Sequence, residues 1–231
     1  MSFTLPIIDV IIPAFNEQNS IGLVVREIPD YVRNIVVVNN NSSDETKKKA
    51  ISAGATVVDE PQQGYGKACL KGMDYIKALE IPPKIVVFLD ADYSDYPREM
   101  SAVVRPIIED KVDFVIGSRS KGEREGGSMT FPQIFGNWLA TTLMRWFYQA
   151  DFSDLGPFRA IKWDRLLALN MKDQDFGWTI EMQIKAVKSQ LKITEVPVNY
   201  KKRIGTSKVS GTVKGTILAG YKIIWTIFKY L

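Results

Sequence analysis

Asp90 and Asp92 flank Ala91 just past the apolar run IVVFL (85–89). Two carboxylates at i and i+2 beyond an apolar strand project from its edge into a cleft. Burying them unpaired is costly, so a strand that ends in them asks for a cation. Oxygen ligands suit magnesium or manganese, ions that typically hold substrate phosphates as well. A lone D-x-D also fits a turn with two solvated aspartates; the position beyond a buried strand favours metal and diphosphate. The chain has no histidine at all. That excludes a Ser-His-Asp triad, a histidine zinc site and histidine acid–base chemistry. Catalysis must rest on carboxylates, cations, backbone groups and a hard metal ion.

Other polar clusters have less specific signals. NNNSSD (39–44) fits a turn and a helix cap at Ser43, or recognition of a base. An asparagine amide offers one donor and one acceptor group. Asn39 and Asn40 therefore match a uracil edge better than guanine, whose adjacent N–H donors suit a carboxylate. QGYGKA (63–68) opens a helix. Gly64 and Gly66 there allow close backbone approach, and with Lys67 the helix start favours an anion; a plain tight turn fits equally. Arg119, Arg159, Arg203 and Lys208 lie outside helix interiors, with Arg119 and Arg159 in the apolar contexts GSR and GPFR.

The elements that must position these residues alternate. Strands are predicted at 7–13, 34–40, 55–59, 84–90 and 112–118, with helices near 18–28, after Ser43, at 65–79 and near 97–109. That order argues for βαβ units and a parallel sheet, which binds ligands at the carboxyl ends of its strands. Asn16 and Glu17, Asn39 to Asn41, Asp90 and Asp92, and Arg119 all fall at such ends. Residues 120–131 read as a Gly-rich charged loop and 132–149 as an aromatic-rich helix. A turn into a strand follows at 154–161. Helices near 163–169 and 177–189 and a strand at 192–200 complete the pattern.

The 231 residues suit one α/β domain with a short annex, divided here as 1–210 and a C-terminal amphipathic helix at 211–231. One cysteine, Cys69, rules out an internal disulfide framework and suits a reducing compartment. With the N-terminus reading directly into a strand, the expected location is cytoplasmic. Net charge is +4, concentrated in the last third at Lys201, Lys202, Arg203, Lys208, Lys214, Lys222 and Lys229. An anionic partner is implied. Nucleic acid is not expected, because no recognised module accompanies the cluster. No run reaches the roughly 18 apolar residues that span a bilayer. Segment 216–231 either lies along a membrane interface, making the protein peripheral on the cytoplasmic membrane face, or packs on the domain as a terminal helix.

Together these pieces resemble glycosyltransferase family 2, of the GT-A fold, and within it the polyprenyl-phosphate (dolichyl-phosphate) sugar synthases. The resemblance is carried by Pro13-Ala14-Phe15-Asn16-Glu17, the NNNSSD stretch, Gly64 to Ala68, Leu89-Asp90-Ala91-Asp92, Gly117-Ser118-Arg119, Asp154-Leu155-Gly156-Pro157-Phe158-Arg159 and Arg203 to Lys208. It implies a mostly parallel, Rossmann-like sheet flanked by helices and a nucleotide-sugar donor. Pro13, Ala14, Glu17 and Asn40 would border the nucleoside. Asp90 and Asp92 would meet ribose, Mg2+ or Mn2+, and diphosphate. Arg119, Arg203, Ser207 and Lys208 would surround the acceptor phosphate and the reacting diphosphate, with Arg203 and Lys208 stabilising the charge that develops on it and Arg159 orienting that region. The family's usual aspartates are Asn39 and Asn40 here, its usual glutamine is Ser94, and its D-x-x-S-G-F-R is one residue shorter.

The implied reaction is displacement at the sugar's anomeric carbon with inversion. UDP-sugar is favoured over GDP-mannose as donor, and polyprenyl phosphate or another lipid is the acceptor. A lipid phosphate, with a second pKa of about 6, needs no strong protein base. A hydroxyl acceptor would need a carboxylate base, for which Asp175 and Glu181 are the candidates. The competing readings are that hydroxyl-acceptor transferase, a nucleotidyltransferase, whose Gly-rich start motif after the first strand is absent here, and a non-catalytic nucleotide-sugar-binding protein.

Overall fold

The computed structural model describes residues 5–205 and 213–231. Seven strands form one sheet: β1 (Ile8–Ala14), β2 (Asn34–Asn39), β3 (Thr56–Asp59), β4 (Ile85–Phe88), β5 (Phe114–Ser118), β6 (Arg159–Lys162) and β7 (Ile193–Pro197). Their spatial order is β3-β2-β1-β4-β6-β5-β7. Every pairing is parallel except those of β6, which runs antiparallel between β4 and β5. The first five strands read as a purely parallel sheet, and β6 departs from it. The long connection before β6 leaves and re-enters the sheet at one rim, where β4 and β5 end. Arg159, the first residue of β6, pairs with Phe88 and Ile116 near the ends of their strands.

The central strands are buried on both faces, hence their near-continuous apolar sequence. Alternation divides their side chains between two cores. Ile11, Val36, Val38, Phe88 and Ile116 face α3 (Tyr65–Lys77), α5 (Phe131–Tyr148) and α7 (Trp178–Lys188). Val10, Ile12, Val37, Val87 and Val115 face α1 (Ile21–Glu27) and α4 (Met100–Ile108). Phe88 meets Trp178 edge to face at 5.9 Å, anchoring the strand that leads to Asp90 on α7.

Two further helices are α2 (Thr46–Ser52) and α6 (Trp163–Leu169). Ser43 does not cap α2. Glu45 is the N-cap, without a side-chain cap bond, and the Asp44 carboxylate just before it accepts from the Thr46 N–H at 2.9 Å. The last helix, α8 (Val213–Lys229), packs against α5 and α7. Ile227 is buried in the first core, and the Tyr148 hydroxyl donates to its carbonyl at 2.6 Å. None of the described helices is long and apolar enough to cross a membrane.

Candidate active site

Strand ends β1, β2, β4 and β5 deliver their polar residues to one rim, and two cavities open there. The first, about 350 Å³, is walled by Pro13, Ala14, Glu17, Asn40, Gly64 and Ala91, with Phe15, Gln63, Asp175 and Phe176. The second, about 310 Å³, is walled by Arg119 and Tyr200 at its polar end and by residues of α5 and α8 beyond. Tyr65, Asp90, Asp92, Phe176 and Arg203 line both. The two cavities therefore meet at the acidic pair.

That pair is held from several sides. The Tyr65 hydroxyl donates to Asp90 Oδ1 at 3.1 Å. The Ser94 N–H (2.9 Å) and Ser94 hydroxyl both donate to Asp92 Oδ1. Arg203 Nη2 lies 3.2 Å from Asp92 Oδ2 and 3.1 Å from Glu17 Oε1, so the guanidinium bridges two acids across the cleft. Desolvation, then the charge of Asp92, pushes the Asp90 carboxyl up to about 7. Asp95 is 2 % exposed, and neither carboxyl oxygen has a hydrogen-bond partner. Burial and the charges of Asp90 and Asp92 raise it well above the carboxylate range.

This local excess of desolvated acid is what a divalent cation would relieve. Among the described residues no group of three or more acidic, cysteine or histidine side chains converges on one point. Asp90 and Asp92 would thus supply two oxygen ligands, leaving the remaining positions to water and substrate phosphate. Magnesium-type sites are commonly built in that way. The residues present fit such an ion.

Arg119 is fixed rigidly. Its backbone N–H (2.7 Å), Nε (2.9 Å) and Nη2 (2.6 Å) all donate to the buried Asp154 carboxylate. Its guanidinium lies over the Tyr200 ring at 5.1 Å. A fork-to-fork pair of this kind fixes a planar cation in position.

Several expected roles are not what these side chains do. Arg159 lines neither cavity. It is fully buried and donates to the carbonyls of Leu155, Gly156 and Thr179. It shapes the turn beside Asp154 and does not contact an acceptor phosphate. The Asn40 amide donates to the Glu60 and Gln62 carbonyls and accepts from the Gly64 N–H at 2.8 Å. Asn39 donates to Asp59 at 2.9 Å and lines neither cavity. Both amides organise the 59–64 turn, which removes the uracil-edge argument drawn from them.

The start of α3 is likewise occupied. The Lys67 N–H donates to the Gln174 carbonyl at 3.0 Å, and the Lys67 ammonium reaches Gln62. A Cβ on Gly66 would sit 2.1 Å from the Asp173 carbonyl oxygen. Gly64 has φ +150, and a Cβ there would meet Gln174 O at 2.3 Å. Both glycines admit the Asp173–Gln174 segment, and Gly64 also lines the first cavity. Glu181 is also structural. Fully buried, it accepts from the Lys172 and Asp173 N–H groups and the Tyr230 hydroxyl, and pairs with Lys185. Asp175 does line the first cavity, with burial and then Asp173 raising its carboxyl. Ser207 and Lys208 lie outside the described residues.

Tyr65 and Asp154 lie within stretches that carry the family resemblance but have no role assigned there, and Phe176 and Tyr200 carry no site signal in the sequence. Each reaches the rim or supports it from an element remote in sequence, and a lone tyrosine or phenylalanine makes no motif.

Residues 9–164 match the sequence profile of glycosyl transferase family 2. The chain belongs to this family. An uncharacterized glycosyltransferase of Mycobacterium tuberculosis is 32% identical over 220 residues, covering 92% of this chain and 94% of that protein. A UDP-N-acetylglucosamine–dolichyl-phosphate N-acetylglucosaminyltransferase of Methanococcus voltae is 32% identical over 176 residues, 73% of this chain and 66% of that protein. In the fold comparison, glucosyl-3-phosphoglycerate synthase of M. tuberculosis, solved with Mn2+, UDP and its glucosylated product, aligns with a TM-score of 0.76. That alignment covers 97% of this chain and 80% of that one at 21% identity, and so shows the shared GT-A fold. The protein is a glycosyltransferase.

Proposed function

We propose that this glycosyltransferase moves a hexose, with inversion, from a UDP-sugar to a polyprenyl phosphate or a similar lipid phosphate. One observation carries the acceptor class. The second cavity has the cations Arg119 and Arg203 at its inner end and apolar walls, Met129, Pro132, Leu155 and Ile223 among them, further out. Asp90 and Asp92 are the only carboxylates lining it among the described residues. Such a space suits an amphiphile with an anionic head. No third carboxylate stands there to take a proton from a hydroxyl, so the nucleophile should arrive ionised, as a phosphate does near neutral pH.

The first cavity is the donor's place. The uridine preference draws support from the dolichyl-phosphate relative that uses UDP-N-acetylglucosamine and from the UDP-bound fold neighbour. A divalent ion, Mg2+ or Mn2+, held by Asp90 and Asp92 would neutralise charge on the leaving diphosphate. Ser94 and Tyr65 orient the two carboxylates. Arg203, now between Glu17 and Asp92, lies at the junction where the diphosphate would sit and can donate to it. Arg119, locked by Asp154, presents a fixed charge to the acceptor phosphate. An acceptor oxygen forms the new bond to the anomeric carbon as the bond from that carbon to the diphosphate breaks. The released nucleoside diphosphate carries away the electron pair.

Purified protein with Mn2+, UDP-glucose or UDP-N-acetylglucosamine, and a detergent-solubilised polyprenyl phosphate should yield a lipid-linked sugar phosphate and UDP. EDTA should stop it. Transfer only to a soluble hydroxyl acceptor would overturn the acceptor class and direct attention to Asp175 as base. Undiminished rates in EDTA would overturn the metal role. Stronger thermal stabilisation by GDP-sugars than by UDP-sugars would overturn the donor.

A further inference from the structure

Eighteen large hydrophobic side chains are exposed among the described residues, and twelve lie on α5 or on α8 and the residues after it. On α5 the aromatic members are Phe131, Phe135, Trp138, Trp146 and Phe147; on α8 they are Tyr221, Trp225 and Phe228. The exposures are large: Phe131 79%, Trp146 72% and Tyr221 64%. Three of the chain's five tryptophans are in this set. The two stripes form one surface, because Phe147 meets Phe228 at 5.4 Å where the helices pack. Contiguous exposed apolar area on this scale marks a binding surface.

Two observations identify the occupant. Charge is the first. The sequences of α5 and α8 contain Arg145, Lys214, Lys222 and Lys229 and no aspartate or glutamate. Arg145 and Lys222 are paired with Asp151 and Asp173 outside the helices, so the match to the headgroup layer of an anionic bilayer rests on the tryptophans and tyrosines together with the helices' remaining excess of cations. The second is continuity with the active site. The acceptor cavity runs between the two helices, and each contributes an interior glycine to its wall, Gly136 and Gly220. Interior glycine weakens a helix relative to alanine. Packing does not require either one: a Cβ at Gly136 or Gly220 would have no atom within 4 Å. What both glycines preserve is open space between the helices.

We propose that the joint α5–α8 face docks on an anionic lipid bilayer, with Gly136 and Gly220 framing the port through which a membrane-held acceptor reaches Arg119 and Arg203. The port rests on the lipid-phosphate reading given above; the docking face does not require it. A charged substitution on the face should release the protein from membranes. A bulky residue at the port should block the acceptor and leave the donor cavity untouched.

The test uses flotation with vesicles of phosphatidylcholine alone or with phosphatidylglycerol, both lacking any acceptor. The wild type should float with the anionic vesicles and at least tenfold less with the neutral ones. Trp146→Glu and Trp225→Glu should each reduce flotation at least tenfold while transfer to detergent-solubilised polyprenyl phosphate persists. Gly136→Leu and Gly220→Leu should reduce lipid-acceptor transfer at least tenfold, with the thermal shift caused by UDP and Mn2+ unchanged. If the wild type fails to float, or if Trp146→Glu instead converts a dimer to a monomer in sedimentation, the bilayer assignment is overturned even where lipid transfer is observed. If the protein floats yet glycosylates only soluble acceptors, the docking face stands and the lipid-phosphate reading fails, taking the port with it. Leucine variants with wild-type lipid transfer would overturn the port alone.

Discussion

Replacing Asp90 by asparagine should stabilise the metal-free protein while destroying its activity. Asp90 carries a negative charge beside Asp92 in a cleft that excludes much of the solvent, which lifts its carboxyl from 3.8 to about 7. A folded value above the unfolded one means that this group's contribution is fully favourable below about pH 4. It is lost progressively as pH rises through about 7. Fully expressed, that difference is on the order of 4 kcal/mol. Asp90 retains some exposure to the cleft, however, and solvent screening reduces the effect. We expect about 2 kcal/mol at pH 8, equivalent to roughly 4–8 °C in Tm for a chain of this size. Asparagine can still accept from the Tyr65 hydroxyl, so the substitution changes charge with little change in hydrogen bonding. Thermal and urea unfolding in EDTA at pH 8 and pH 5 would measure it, the advantage at pH 5 being less than half that at pH 8. With Mn2+ present at pH 8 the wild type should recover stability and the variant should not. An Asp90→Asn protein no more stable than the wild type at pH 8 in EDTA would refute the claim that desolvated, uncompensated acid defines this site.

Three other substitutions separate support from chemistry. Ser94→Ala removes the hydroxyl that orients Asp92, and the Mn2+ concentration for half-maximal activation should rise roughly 10- to 100-fold, as for other groups that orient metal ligands. Gly66→Ala places a methyl group against the Asp173 carbonyl; about 1–3 kcal/mol of stability should be lost in urea titration, and donor KM should rise because the displaced segment carries Asp175 and Phe176. Arg159→Met strips buried carbonyls of their donors, costing about 3 kcal/mol or more in the same assay. Protein that does fold should keep its acceptor KM; a large increase there would return Arg159 to the phosphate site.

The local code was enough for the scaffold's elements and for their polar ends. Apolar runs buried on both faces mark β1, β2, β4 and β5, and an acidic pair following one of them marks the cleft. These features depend on neighbours within a few residues, where period and composition act directly. The last helix also shows its divided character in sequence, apolar yet carrying Lys222 and Lys229. Long-range packing decided the rest. Antiparallel β6 is set by where the chain re-enters the sheet, which no local pattern encodes. Whether Arg159 meets solvent, substrate or three carbonyls depends on the Leu155–Gly156 turn and on Thr179 from another helix. The amides of Asn39 and Asn40 and the start of α3 look free for a ligand in one dimension. In three dimensions the 59–64 turn and the Asp173–Gln174 segment occupy them, because buried polar groups take the nearest available partner. Residue type and spacing thus determine which chemistry the chain can perform. Tertiary contacts, through desolvation and hydrogen-bond saturation, decide which of those groups remain available for it.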